Sequence, residues 1–137
     1  MHSVRIETLD KDFVCLENVV YSGLQPDYPV EMPVYFFQLE NGEQYEYPLS
    51  SILYMQFTGR YNPIEENKKT YNVDVRLMGQ SKISISDVMY CGVHSSSLYY
   101  MMKKSGECYE IPVKSVVCFK FSRERLERKS EEERMRG

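Results

Sequence analysis

The chain has two histidines, the side chains that most often serve as general bases near neutral pH. His94 stands directly before Ser95, Ser96 and Ser97. A serine nucleophile works with a histidine only when the fold joins hydroxyl and imidazole and a third group orients the ring. Nothing in the sequence marks that third group, so the segment reads as a hydrophilic turn. His2 lies at the N-terminal end of the sequence. Asp10 and Asp12 offer carboxylates to a hard cation, but Lys11 separates them and no acidic residues follow at calcium-loop spacing, so they read as turn formers. Cys15, Cys91, Cys108 and Cys118 contain no CxxC pair, and nine residues lie between the closest two, which is no zinc spacing. They are expected as reduced, partly buried thiols. Neither GxGxxG nor GxxxxGK[ST] occurs. These observations predict a non-enzymatic protein with no metal and no cofactor.

Binding chemistry has more material. Tyr99, Tyr100, Lys103 and Lys104 combine rings that stack on bases with cations that meet phosphates, the pattern of a single-strand nucleic-acid surface. Charge argues against making this the first reading. Residues 1–60 hold three basic and nine acidic side chains, residues 61–122 eight and six, and the remainder six and five, for a total of −3. Phosphate-driven affinity needs concentrated positive charge, and a sequence pI near 5.5 supplies little. Opposite charge on the two halves favours association between acidic and basic surfaces.

The elements that must position these residues repeat along the chain. Leu39 to Phe57 reads LENGEQYEYPLSSILYMQF and Lys103 to Phe121 reads KKSGECYEIPVKSVVCFKF; at an offset of 64 they share Gly42/Gly106, Glu43/Glu107, Tyr45/Tyr109, Glu46/Glu110, Pro48/Pro112, Ser51/Ser115 and Phe57/Phe121. At an offset of 69, Asp12 to Gly23 matches Ser81 to Gly92 through Val19/Val88, Tyr21/Tyr90 and Gly23/Gly92. The difference falls in a proline-rich loop of the first copy, where length changes are tolerated. The chain therefore reads as two copies of one unit of about 60 residues.

Each copy reads as five short strands: a hairpin, a loop, a second hairpin, a single turn after proline and a closing strand. Asn41-Gly42 marks a two-residue type I′ turn. Alternation assigns Tyr45, Tyr47, Leu53, Met55 and Phe57 inward in the first copy, and Tyr109, Ile111, Val117, Phe119 and Phe121 in the second. This order of elements resembles an SH3-like small barrel, or an Sm-like one. The resemblance implies an all-β protein with two tandem barrels forming a pseudo-dimer, a first repeat over 1–60 and a second over 61–122. The peptide-binding SH3 groove depends on a tryptophan, and the chain has none. By analogy of fold and size alone, such barrels point to phage structural or host-takeover proteins.

From Ser122 the composition turns highly charged. Ser122 is placed to cap a helix, and Glu124/Arg128 and Glu132/Arg136 stand at i,i+4, so 123–137 reads as a charged C-terminal helix. No window reaches the roughly 18 apolar residues of a membrane span, and no signal-peptide pattern opens the sequence, so a cytoplasmic protein without membrane contact is expected. The combined reading is a non-catalytic protein-binding or assembly module whose partner is another protein or a second copy. Its expected contact residues are Asp27, Tyr28, Glu31 and Met32, in the loop where the copies differ in length. Single-stranded nucleic-acid binding through Tyr99 to Lys104 is the second reading.

Overall fold

The computed structural model describes residues 1–26, 33–94 and 97–123. Its strands are β1 (His2–Thr8), β2 (Phe13–Pro26), β3 (Pro33–Leu39), β4 (Gln44–Pro48), β5 (Ile52–Thr58), β6 (Tyr71–Leu77), β7 (Lys82–His94), β8 (Leu98–Lys103), β9 (Cys108–Pro112) and β10 (Val116–Arg123). Single 3-10 turns at Leu49–Ser51, Met78–Gln80 and Val113–Ser115 are the only helical segments among the described residues. No helix there is long and apolar enough to cross a membrane. Period-two patterning makes the strands: along β6, Val73, Val75 and Leu77 are buried while Asp74 and Arg76 are exposed.

All ten strands belong to one antiparallel sheet, in the order β10-β6-β7-β8-β9-β5-β1-β2-β3-β4. Two closed barrels, the expectation from the resemblance, are not formed. The reason is the disposition of edges. One edge of β5 pairs with β1 and the other with β9, so β5 has no edge left for β4. Both edges of β9 are likewise taken, by β8 and β5, which leaves β10 paired to β6 alone. Among the described residues the sheet stays open, with β4 and β10 as its free edges. The analogy to phage small barrels loses its basis with the barrels. The expected C-terminal helix lies outside the described residues apart from Arg123, the last residue of β10, which pairs with Tyr71 of β6. Ser122 is a strand residue opposite Asn72 rather than a helix cap.

Local geometry recurs between the two parts of the sheet. The first five strands run β5-β1-β2-β3-β4 and the last five β10-β6-β7-β8-β9. Left-handed backbone occurs at Lys11 and Gln80 (φ 67° and 65°), at Asn18 and Asp87 (56° and 62°), and at Gly42 and Gly106 (both 92°). The Glu40 amide donates to the Asn18 carbonyl as the Lys104 amide donates to that of Asp87, both at 2.9 Å. At Asn41-Gly42 the expected two-residue I′ turn is replaced by a longer one. The Gly42 amide donates to Leu39 O and the Leu39 amide to Glu43 O, and only Gly42 adopts positive φ. The Asn41 side-chain oxygen caps the turn by accepting from the Glu43 amide at 2.9 Å.

Two apolar clusters form the interior, and each draws on both parts of the chain. The first gathers Val4, Ile6, Phe37, Met55 and Phe57, together with Leu98 and Cys108; the second gathers Val73, Val75, Ile85 and Ile111, together with Leu53 and Tyr54. Inward placement holds for Leu53, Met55, Phe57, Tyr109 and Ile111, which are all buried. Tyr45 and Tyr47 are half-buried against the first cluster. Val117 and Phe121 depart from expectation, at 60% and 45% exposed, because β10 is an edge strand with no neighbour on its outer side. The segment between β5 and β6 is held down: the Ile64 amide donates to Lys104 O at 2.8 Å, and the Glu66 carboxylate accepts from the Tyr90 hydroxyl at 2.9 Å.

Candidate functional site: the sheet centre and its free edges

The central junction positions the one buried polar cluster built around a charge pair among the described residues. β9 packs at the middle of the sheet, and all five of its residues, Cys108–Pro112, are buried. Glu110 is the charged member, 4% exposed. Its carboxylate accepts a hydrogen bond from the Tyr35 hydroxyl, projected from β3, and pairs with the Arg60 guanidinium at 3.6 Å. Arg60 lies over the Phe57 ring at 4.6 Å, which shields its apolar plane while its donors reach Glu110. A buried carboxylate requires such partners, since its desolvation costs several kcal/mol when they are missing.

Titration follows this burial. The Tyr35 phenol is held far above its ordinary range by burial first and by the adjoining Glu110 charge second. Burial also pushes the Cys108 thiol up to about 11, against an opposing pull from Arg60. A nucleophilic cysteine needs the reverse shift, so Cys108 stays a thiol, and the cluster acts as a structural joint. Cys15, Cys91 and Cys118 are exposed and free.

Two further side-chain bonds tie the junction. Ser115 donates to the Ile52 carbonyl at 2.7 Å, and the Gln56 amide donates to Glu107 at 3.5 Å. Sequence reading missed this joint. The available signal was a glutamate set among apolar residues in a segment, ECYEIP, whose length and composition mark a strand.

Of the residues expected to bind, Asp27, Tyr28, Glu31 and Met32 lie outside the described residues. The Tyr99 to Lys104 set is described, and alternation divides it between the two faces of β8. Tyr99 packs on the second cluster with its ring 4.3 Å from Phe119, whereas Tyr100 packs on the first. Burial raises both phenols to about 12. Lys103 is half-buried and pairs with Glu107 at 3.8 Å. Asp10 behaves as a turn former: it accepts from the Thr8 hydroxyl and the Asp12 amide, and the Thr8 bond first of all lowers its pKa. Ser95 and Ser96 lie outside the described residues; His94 sits with its ring 6.1 Å from that of Tyr100.

Two shallow depressions of about 250 Å³ lie at Glu17, Asn18 and Glu40, and at Arg5, Cys15 and Gln56. They fall below the usual size of small-molecule sites. Among the described residues no group of three or more His, Cys, Asp or Glu is placed to hold a metal ion. The exposed edges offer more. β10 presents Val117 and Phe121 beside a row of unpaired backbone groups, and β4 presents a second such row with Glu46 exposed. Comparison with protein-family models, with curated proteins and with solved structures found no match to this chain.

Proposed function

We propose that the chain is a non-catalytic binding or assembly protein of the cytoplasm, built from a duplicated five-strand unit and acting through its surface on another protein. The observation that carries this reading is the β10 edge. It combines large apolar side chains, 60% and 45% exposed at Val117 and Phe121, with unpaired backbone donors and acceptors. Such an edge is a template for strand addition unless it is blocked. Support for duplication comes from the shared strand order and from left-handed residues recurring at the offsets of the sequence repeat. Support for nucleic-acid binding is weaker, because Tyr99 and Tyr100 point to opposite faces of β8 and Lys103 is engaged by Glu107.

Affinity capture with the full chain as bait, read by mass spectrometry and by nucleic-acid staining, tests the reading. The bait should retain protein, another species or its own untagged copy, without nucleic acid. Retention of nucleic acid alone overturns it. Fluorescence polarisation with mixed-sequence single strands provides the complementary measurement. At about 150 mM salt the binding should be no tighter than the non-specific range of roughly 10⁻⁴ M. Sub-micromolar affinity lost on Tyr100→Ala, or on Lys103→Glu with Lys104→Glu, establishes the nucleic-acid reading instead.

A further inference from the structure

The two free edges of the sheet are counterparts of the two strands that pair at its centre. At the centre β5 meets β9 in the register Met55↔Glu110, Gln56↔Tyr109 and Phe57↔Cys108. The sequence offset of 64 carries Met55, Gln56 and Phe57 to Phe119, Lys120 and Phe121 on β10, and it carries Glu110, Tyr109 and Cys108 to Glu46, Tyr45 and Gln44 on β4. One molecule therefore holds one made junction and the two separate halves of a second.

We propose that β10 of one copy pairs antiparallel with β4 of a second copy, in the register Phe119↔Glu46, Lys120↔Tyr45 and Phe121↔Gln44, so that chains join head to tail. This inference rests on the duplication and assembly reading and names its partner. Head-to-tail contacts of this kind are heterologous: they close into a ring if the rotation per step allows and otherwise extend as a filament.

Three observations carry the inference. The first is burial. Phe57 is 0% exposed and Leu53 1%, with β9 alongside, whereas their counterparts Phe121 and Val117 are 45% and 60% exposed. An added β4 covers the same positions. The second is polar complementarity. The Tyr35 to Glu110 bond has Tyr99 and Glu46 as counterparts; Ser51, the counterpart of Ser115, already donates to the Pro48 carbonyl at 2.8 Å within the chain and adds nothing to the external junction. The Gln56 to Glu107 bond becomes Lys120 with Glu43, so a neutral donor at the internal junction is replaced by a cation at the external one. Lys120 and Glu43 are both exposed in the single chain. The third is overall charge: nine acidic against three basic residues over 1–60, and eight basic against six acidic over 61–122, so head-to-tail contact brings unlike charge together. One difference weakens the external junction. Arg60 corresponds to Glu124, outside the described residues, so Glu46 has Tyr99 for a partner without an arginine.

Sedimentation velocity and light scattering on the full chain over a dilution series test the inference. Above the association range the mass should exceed the 16.2 kDa of one chain. Lys120→Glu or Glu43→Lys alone should raise the dissociation constant at least tenfold, through like-charge contact with the native partner residue. Both changes in one chain should restore association, because the pair is then reversed. Since both positions are exposed, the thermal melting of each single variant should match that of the native chain below the association range, where assembly lends no stability, which separates lost assembly from lost folding. A native chain that stays at 16.2 kDa throughout overturns the inference, as does an oligomer that neither single variant weakens. A monomer that still captures another protein overturns only the choice of partner. A monomer that retains nucleic acid alone overturns the assembly reading with it.

Discussion

The Tyr35 hydroxyl donates to the Glu110 carboxylate across the centre of the sheet, joining β3 to β9, two strands that share no backbone ladder. Both side chains are buried, so each satisfies a group that water cannot reach. Tyr35→Phe removes the donor and leaves the carboxylate with Arg60 as its remaining side-chain partner among the contacts described. The variant should lose about 1–3 kcal/mol in urea denaturation, the penalty for a buried acceptor deprived of its bond. A loss below about 0.5 kcal/mol would show that solvent replaces the hydroxyl.

Stability should fall at high pH. Burial raises the Cys108 thiol to about 11, Tyr100 and Tyr109 to about 12, and Tyr35 further in the same direction. These groups bind their protons more tightly folded than unfolded. Their contribution is therefore complete below the unfolded values, about 9 for the thiol and about 10 for the phenols, and is lost as pH rises through the folded ones. The urea midpoint should decline from about pH 9 toward about pH 12, with tyrosinate absorbance appearing as the chain unfolds. A midpoint that stays constant over that interval contradicts the burial of these side chains.

Gly42 and Gly106 share φ 92° but differ in their surroundings. A Cβ at Gly42 meets nothing within 4 Å, while one at Gly106 falls 2.4 Å from the Tyr61 carbonyl oxygen and 2.8 Å from that of Asn62. Gly42→Ala should therefore cost only the left-handed backbone penalty, about 1–2 kcal/mol. Gly106→Ala should cost at least about 1 kcal/mol more, because the chain passing over it must shift. Equal losses in chemical denaturation would mean that residues 61 and 62 do not sit over the turn.

Phe57→Ala should cost about 3–5 kcal/mol, since the ring is 0% exposed. Phe121→Ala, with the ring 45% exposed, should cost less than about 1 kcal/mol in the dissociated chain. Denaturation at concentrations below and above association separates the two. At high concentration the Phe121 variant should lose mass, and with it the part of the melting temperature that association contributes.

The last comparison shows where the sequence was legible. The hairpin joining β1 to β2 and the single turns after Pro48 and Pro112 could be read from local signals, because turn residues and alternation act over a few positions. Phe57 and Phe121 hold matching positions in segments that share seven of nineteen residues, yet they differ in environment, because burial depends on which strand lies alongside. Leu53 and Tyr54, adjacent and both buried in the second cluster, cannot come from alternation; Leu53 is the extra residue of a bulge between the Thr8↔Ile52 and Glu7↔Tyr54 pairs, which turns both side chains to one face. Glu110 is hidden from composition because β9 is buried along its whole length at the centre of the sheet. The barrel expectation failed at this level: the succession of strands along each half was legible, but the strand that takes the second edge of β5 comes from the other half.

That pairing also orders events in time. β5 ends at Thr58, but the strand that flanks its second edge begins at Cys108. At typical synthesis rates of about 5–20 residues per second, the ribosome takes roughly 3–10 s to deliver the missing neighbour. Throughout that interval the nascent chain carries an open hydrophobic edge. The first half can form its own hairpins as it emerges, but its closing strand must wait for a segment made much later. Vectorial synthesis thus leaves a window of vulnerability to premature pairing with another nascent chain on the same message.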